Sequence, residues 1–225
     1  MTSKAPAALA LFCTSVLHAQ RVDERSGNII FIDSSGHQQQ ITGTGKDYTP
    51  SLSFDKRLVV FARKTQEAPY PDQPSESQIL KSELWLAAVD RRELPRPIYQ
   101  GAVIASDGRP LQSLWSPQLS PDNRYCYFLA EDAVTSHALC RLDMKANQAV
   151  FISSAIEFGL VPSGTWHGYP VANVRSYERD PDDGIEYPHY PWYLLSPAGK
   201  KIKRVGQDGE RLDSVIARVA RLPRL

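Results

Sequence analysis

Short apolar runs alternate with polar turns along the whole chain, and the alternation repeats. An apolar run, a polar turn and a second apolar or mixed run begin at Ile29 (IIFIDSSGHQQQIT), Leu84 (LWLAAVDRRELPRPI), Leu139 (LCRLDMKANQAVFI) and Trp192 (WYLLSPAGKKIKRV). The starts lie 55, 55 and 53 residues apart. Each copy has the form of a β-hairpin. A hairpin cannot bury its own apolar face, so regular repetition predicts modules stacked on one another. The same pattern predicts strands at 29–33, 38–42, 49–53, 58–63, 83–89, 97–102, 113–116, 124–130, 138–143, 149–153, 158–161, 168–175, 190–196 and 201–205. That amounts to about three and a half four-stranded blades, with a half-blade first that lacks its two inner strands.

A second pattern lies between the hairpins. Pro50-Ser51-Leu52-Ser53-Phe54-Asp55-Lys56-Arg57 precedes the apolar run Leu58–Phe61, and Pro117-Gln118-Leu119-Ser120-Pro121-Asp122-Asn123-Arg124 precedes Tyr125–Ala130. The two align without a gap, and a worn third copy is Val161-Pro162-Ser163-Gly164. Asp and Ser bond the backbone of their own turn, Pro presets φ, and Asn tolerates the left-handed region. The β-branched and aromatic run that follows suits a strand covered on both faces.

The Pro-x-Leu-Ser-x-Asp-x-Arg core, followed by an apolar strand and then Glu83-Leu84-Trp85, resembles the TolB-type propeller repeat. That repeat is also found in the propeller domains of prolyl-oligopeptidase-like proteins. The resemblance runs from about Asn28 to Gly206. It implies an all-β fold, a small or incomplete β-propeller of about four antiparallel blades, used as a binding scaffold. By itself it implies no catalytic residue. In the tail, Leu212, Val215, Ile216, Val219 and Leu222 fall at helical spacing, which predicts a short amphipathic helix ending before Pro223. A closing strand is the alternative. An open propeller edge would allow an oligomer.

Two segments interrupt the repeat. Lys64–Lys81 carries Pro69, Pro71 and Pro74 among polar residues and is expected to be an extended solvated loop. Arg179–His189 is the equivalent loop of the last blade. Both should project from one face, the candidate functional surface. Aromatics gather near the last blade. Trp85 and Trp192 match by position and are expected to pack blades, while Trp166, His167, Tyr187 and His189 are candidate partner-binding residues. Asp182 and Asp183, with Asp180 and Glu186, form an acidic loop that would steer a basic partner. Their spacing is not that of an EF-hand. The last twenty-six residues have the opposite sign, eight Lys or Arg against three Asp or Glu.

Composition narrows the function classes. The chain has 225 residues, 42% hydrophobic, with a formal net charge of +1, so it has no general attraction to nucleic acid or anionic membrane. Lys4 followed by a mostly apolar stretch from Ala5 to Leu17 has the form of a secretory signal over residues 1–19. The apolar stretch is too short to span a bilayer. The expected location is periplasmic or secreted, with residues 20–225 as one domain. Cys126 and Cys140, on consecutive predicted strands, are candidates for a disulfide in an oxidising compartment; the alternative is two small buried thiols. No Gly-x-Ser-x-Gly elbow, His-x-x-x-His or Cys-x-x-Cys occurs, so no catalytic, metal or cofactor residue is assigned. The expected role is an exported noncatalytic module that presents loops to a protein partner, of inhibitor or immunity type. The rivals are a small envelope hydrolase or lyase using His167 or His189, and a sugar- or peptide-binding envelope protein.

Overall fold

The computed structural model describes residues 19–70, 73–100, 103–104, 110–111, 113–133, 136–179 and 184–223. The signal-type stretch lies outside the described residues. In chain order, β1 (Arg21–Arg25), β2 (Asn28–Ile32) and β3 (Gln38–Gln40) make a three-stranded antiparallel sheet. β4 (Asp47–Leu52), β5 (Leu58–Tyr70), β6 (Gln73–Ala88) and β7 (Arg96–Tyr99) make the second blade. After a small pair, β8 (Val103–Ile104) and β9 (Pro110–Leu111), the third blade is β10 (Leu114–Leu119), β11 (Tyr125–Ala133), β12 (Ser136–Asp143) and β13 (Gln148–Ala155). The fourth opens with β14 (Phe158–Leu160) and β15 (Pro170–Asn173). A two-stranded hairpin follows, β16 (Ser176–Arg179) and β17 (Glu186–His189). The blade closes with β18 (Trp192–Leu195) and β19 (Lys201–Gly206). Helix α1 spans Leu212–Val219. The four sheets form an incomplete propeller. No described helix is long and apolar enough to cross a membrane.

Side-chain alternation explains the stacking. Along β5, Val59 and Phe61 join Ile29, Phe31 and Ile41 of the first blade, while Val60 and Ala62 face the third. Along β11, Cys126, Phe128 and Ala130 face the second blade, while Tyr127 and Leu129 face the fourth. A strand buried on both faces must be apolar at every position, so these segments read as continuous runs. Burial also pushes the Tyr127 phenol up to about 12. The far face of the fourth blade is covered by α1, whose Val215 and Val219 pack on Val161, Trp166, Val171, Trp192 and Val205. The tail is therefore the helix that its spacing predicts.

Several expectations are corrected. The first blade lacks one strand, not two, because Arg21–Arg25 pairs with β2 through a two-residue turn at Ser26 and Gly27. Lys64–Lys81 is not a loop. Lys64 pairs with Ser82, Gln66 with Lys81 and Pro69 with Gln78, so most of it is a long ribbon extending β5 and β6. Arg179–His189 likewise includes the pairing of β16 with β17. For Cys126 and Cys140 the structure takes the alternative already left open, two buried thiols that are not bonded to each other. Cys126 stands opposite Leu142 and Cys140 opposite Phe128, so the two are diagonal neighbours on one face. Diagonal positions lie about 7–8 Å apart, beyond ordinary disulfide reach. Burial pushes the Cys126 thiol far up, which keeps it unreactive.

The repeated turn has one geometry at both sites. Ser53 Oγ donates to Asp55 Oδ1 at 2.6 Å and accepts the Leu58 amide at 3.0 Å, while Asp55 Oδ1 also accepts the Arg57 amide at 3.1 Å. Ser120 Oγ donates to Asp122 Oδ1 at 2.6 Å and accepts the Tyr125 amide at 2.9 Å, with Arg124 donating to Asp122 at 3.1 Å. Lys56 and Asn123 occupy the left-handed position, at φ 62° and 55°. The Ser hydroxyl is the chief reason that each Asp carboxyl is held below its ordinary value. The folded turn therefore favours the ionised carboxylate. That contribution is complete above the unfolded value of about 3.9 and is lost as pH falls through the lower folded values. Urea unfolding should show Ser53→Ala and Ser120→Ala each costing about 1–2 kcal/mol. The Asp55→Asn, Asp122→Asn double variant should lose stability less steeply than the parent below about pH 4. Alkylation should modify Cys126 and Cys140 only after denaturation, as peptide mapping will read.

Candidate functional site

The blades have two unlike ends. At one end, the first and second strands of the second and third blades join through the tight turns Ser53–Arg57 and Ser120–Arg124, the first two of the fourth through a longer connection, and third and fourth strands through turns such as Asp143–Asn147. At the other end, the middle strands run on into hairpins. These are the β5–β6 ribbon, the β11–β12 end and β16–β17. The hairpin end carries a cluster of exposed apolar side chains, whereas the turn end exposes Leu94 singly between β6 and β7. Tyr177 and Ile185 are each 54% exposed and Tyr187 is 44% exposed.

The β16–β17 platform is anchored at its base. The Val174 amide donates to Pro191 O at 3.0 Å, the Asn173 side chain donates to Tyr190 O, and the Tyr190 amide donates to Asp208 at 3.3 Å. Glu178 stands opposite Tyr187, and Tyr177 opposite Pro188. The Arg175 guanidinium lies 5.0 Å from the Tyr177 ring centre, Arg179 donates to Gly184 O at 2.8 Å, and Arg204 pairs with Glu178 at 3.4 Å. The aromatic rings thus stand on a paired strand frame whose charged neighbours are held in place.

The structure divides the residues expected to act together. Tyr187 is exposed on β17, and His189 is half-buried at its end, opposite Ser176. His167 is exposed at the opposite, turn end, with its ring 4.9 Å from Phe54 in an edge contact. Trp166 is not a surface residue. It is 7% exposed, packs in the core under α1, stacks edge-on against Tyr169 at 5.3 Å, and donates from Nε1 to Pro223 O at 3.3 Å. Asp182 and Asp183 lie outside the described residues. Trp192 is 2% exposed in the same core. Trp85 packs on the first blade and lies under the Arg63 guanidinium at 3.8 Å. Arg63 in turn bonds the fully buried Asp47 at 3.1 Å.

Sequence reasoning missed Tyr177 and Ile185. A signal existed for both, since each flanks the acidic turn that was already singled out. His137 was missed too. Its ring meets Trp115 edge-on at 4.6 Å, and burial holds its pKa below the ordinary histidine value. It is therefore neutral near pH 7. Among the described residues, no three His, Cys, Asp or Glu side chains come close enough to share a metal ion.

Among the described residues, cavities also lie in other parts of the molecule. One of about 620 Å³ at the turn end is lined by Asp55, Lys56, Arg57, Val89, Arg92 and Asn123, among others. Two of its three carboxylates are engaged, Asp55 by its own turn and Asp90 by Arg92 at 3.1 Å, and Glu93 is the third. Another, of about 340 Å³, lies between the bulges of β4 and β10.

No protein-family model matches this chain, and no curated protein matches it. Solved structures with a similar fold include dipeptidyl peptidase 4 from Porphyromonas gingivalis, at 13% identity and TM-score 0.43 over 84% of this chain and 31% of that one. The β-propeller domain of the Trilobed protease from Pyrococcus furiosus is similar at 15% identity and TM-score 0.45, over 80% of this chain and 48% of that one. TolB from Acinetobacter baumannii is similar at 12% identity and TM-score 0.32, over 80% and 49%. The chain spans less than half the length of each of these three.

Proposed function

We propose that this protein is an exported, noncatalytic binding module that presents its hairpin end to a protein partner. The observation that supports it is the β16–β17 platform, which holds Tyr177, Ile185 and Tyr187 exposed on a hydrogen-bonded frame. Rigid aromatic side chains lose little conformational freedom on contact and bury a large area, which suits them as interface anchors. Glu178 and Glu186 beside them, with the acidic sequence at Asp180, Asp182 and Asp183, favour a basic partner surface. The apolar stretch before Gln20 supports export. Intact-mass measurement of the protein recovered from cells reads whether the chain then starts at Gln20.

Affinity capture from the envelope fraction of the source organism tests the reading. The unaltered chain should retain a specific protein. The Tyr177→Ala, Tyr187→Ala double variant should weaken that retention by about tenfold or more, the loss of one to two anchors. A His167→Ala, His189→Ala double variant should retain the partner nearly unchanged. Turnover of a model ester or glycoside that disappears in the histidine variant, with no protein retained, would replace this reading with hydrolysis.

A further inference from the structure

The first blade has three strands where the other three have four. β1 ends its sheet, and among the described residues no strand pairs with its free edge. Chain order shows which strand is wanting. β3 leads into β4, the innermost strand of the next blade, as β13 leads into β14. β3 is therefore an outermost strand, and the place that no described strand fills, here the vacant place, is the innermost one, beside β1.

The register shows what that edge offers. Ser26 and Gly27 have φ of 50° and 72°, the signature of a two-residue hairpin turn closed by a hydrogen-bonded pair. Arg25–Asn28 is that pair, and in an antiparallel ladder Asp23–Ile30 and Arg21–Ile32 then follow as hydrogen-bonded pairs. The N–H and C=O groups of Val22 and Glu24 consequently point away from β2, into the vacant place. Gly27 is required in this turn, because a Cβ there would lie 2.2 Å from Gly45 O.

The second and third blades show one pattern that fits such a place, which β14 (Phe158-Gly159-Leu160) of the fourth does not share. β4 reads Asp47-Tyr48-Thr49-Pro50-Ser51-Leu52, and β10 reads Leu114-Trp115-Ser116-Pro117-Gln118-Leu119. Both carry an aromatic, then a hydroxyl residue at positive φ (45° and 50°), then Pro, and both end in Leu. The Ser116 amide donates to Thr49 Oγ1 at 3.0 Å, which sets one inner strand against the next. The Thr49 amide holds in β4 the place of the Ser116 amide in β10, so by that equivalence it faces the vacant position.

We propose that the free edge of β1 accepts an extended segment of another protein, of the form aromatic–Ser/Thr–Pro–x–Leu, as the fourth strand of the first blade. Main-chain bonds to Val22 and Glu24 supply affinity, and the hydroxyl that takes the Thr49 amide fixes register. A second copy of β1 is a poor occupant. Antiparallel pairing centred on Asp23 would oppose Arg21 to Arg25 and Asp23 to Asp23, and like charges in opposition repel. The inference does not rest on the hairpin-end reading, because the two surfaces are separate.

The test uses the full chain and a synthetic octapeptide, Ser-Leu-Trp-Ser-Pro-Gln-Leu-Ser, the sequence of residues 113–120. Its reversed sequence is the control. Saturable binding of the first peptide and not the second is expected, with the Val22 and Glu24 amides gaining protection from hydrogen exchange while Asp23 is unchanged. Val22→Pro removes an outward N–H and no bond to β2, although it also removes side-chain packing on the first-blade core, so a variant that still unfolds cooperatively should bind about tenfold or more weakly. The exchange pattern of the unaltered chain reads the same point without any variant. The proposal is overturned by no saturable binding up to about 1 mM, or by equal affinity in a folded Val22→Pro variant. Val22 and Glu24 amides already protected in the free chain would also overturn it, the place then being filled from within.

Discussion

The bonds between successive inner strands are the constraint on which the rest depends. Hydrophobic burial makes blades stack, but it is non-directional and sets neither spacing nor rotation. The polar contacts supply direction. Tyr48 donates from its hydroxyl to Leu114 O at 2.8 Å, and Ser82 Oγ both accepts the Leu114 amide at 2.6 Å and donates to its carbonyl at 3.0 Å. Gln118 repeats the device one blade on, accepting the Leu160 amide at 3.0 Å and donating to Phe158 O at 3.5 Å. Leu114 is fully buried, so its backbone groups have no recourse to solvent. Each such bond is worth only about 1 kcal/mol net, but an unmatched buried group costs about 1–3 kcal/mol. A wrong blade rotation would leave several unmatched at once.

That constraint has a consequence for the two ends of the stack. The fourth blade hides its far face under α1, through Val215 and Val219. The first blade instead turns Arg21, Asp23 and Arg25 away from its neighbour, with Asp23 paired to both arginines at 3.5 Å. A charged, internally paired face resists further blade stacking, whereas the backbone edge of the same strand pairs with no other strand among the described residues. Sheet stacking and strand addition are thus controlled separately. The buried Asp47–Arg63 pair joins the first two blades, since the Asp47 amide also donates to Gly27 O at 2.8 Å.

The sequence made the blades legible because covered strands are locally distinctive. Leu58–Phe61 and Tyr125–Ala130 are apolar at every position, and the Ser-x-Asp turns before them are short-range chemistry. What escaped was non-local or edge-like. β1 reads Arg-Val-Asp-Glu-Arg, with one apolar residue, and becomes a strand only because the turn at Ser26 and Gly27 returns it against β2. The β5–β6 ribbon carries Pro69 within a two-stranded arm, where a missing N–H on the outer edge breaks no ladder bond. Trp166 stood beside an exposed histidine in a turn, and its burial depends on a helix some fifty residues later in the chain. The facing of Cys126 and Cys140 depended on a register that no spacing rule fixes.

The same contrast separates binding surface from scaffold. At the turn end, polar side chains are largely consumed by their own backbone. Asp33, Asp55, Asp122 and Asp143 each accept two or more bonds from their own turns, and each carboxyl is held below its ordinary value by those bonds. A partner there would have to compete with bonds already formed, so charge at that end works mainly as structure. At the hairpin end, by contrast, Tyr177, Ile185 and Tyr187 keep about half of their surface in water on a frame tied down at its base. Covering such surface is favourable by about 25 cal/mol per Å², with little ordering cost on a strand that is already paired. The turn end is committed to folding, and the hairpin end retains free energy to give to a partner.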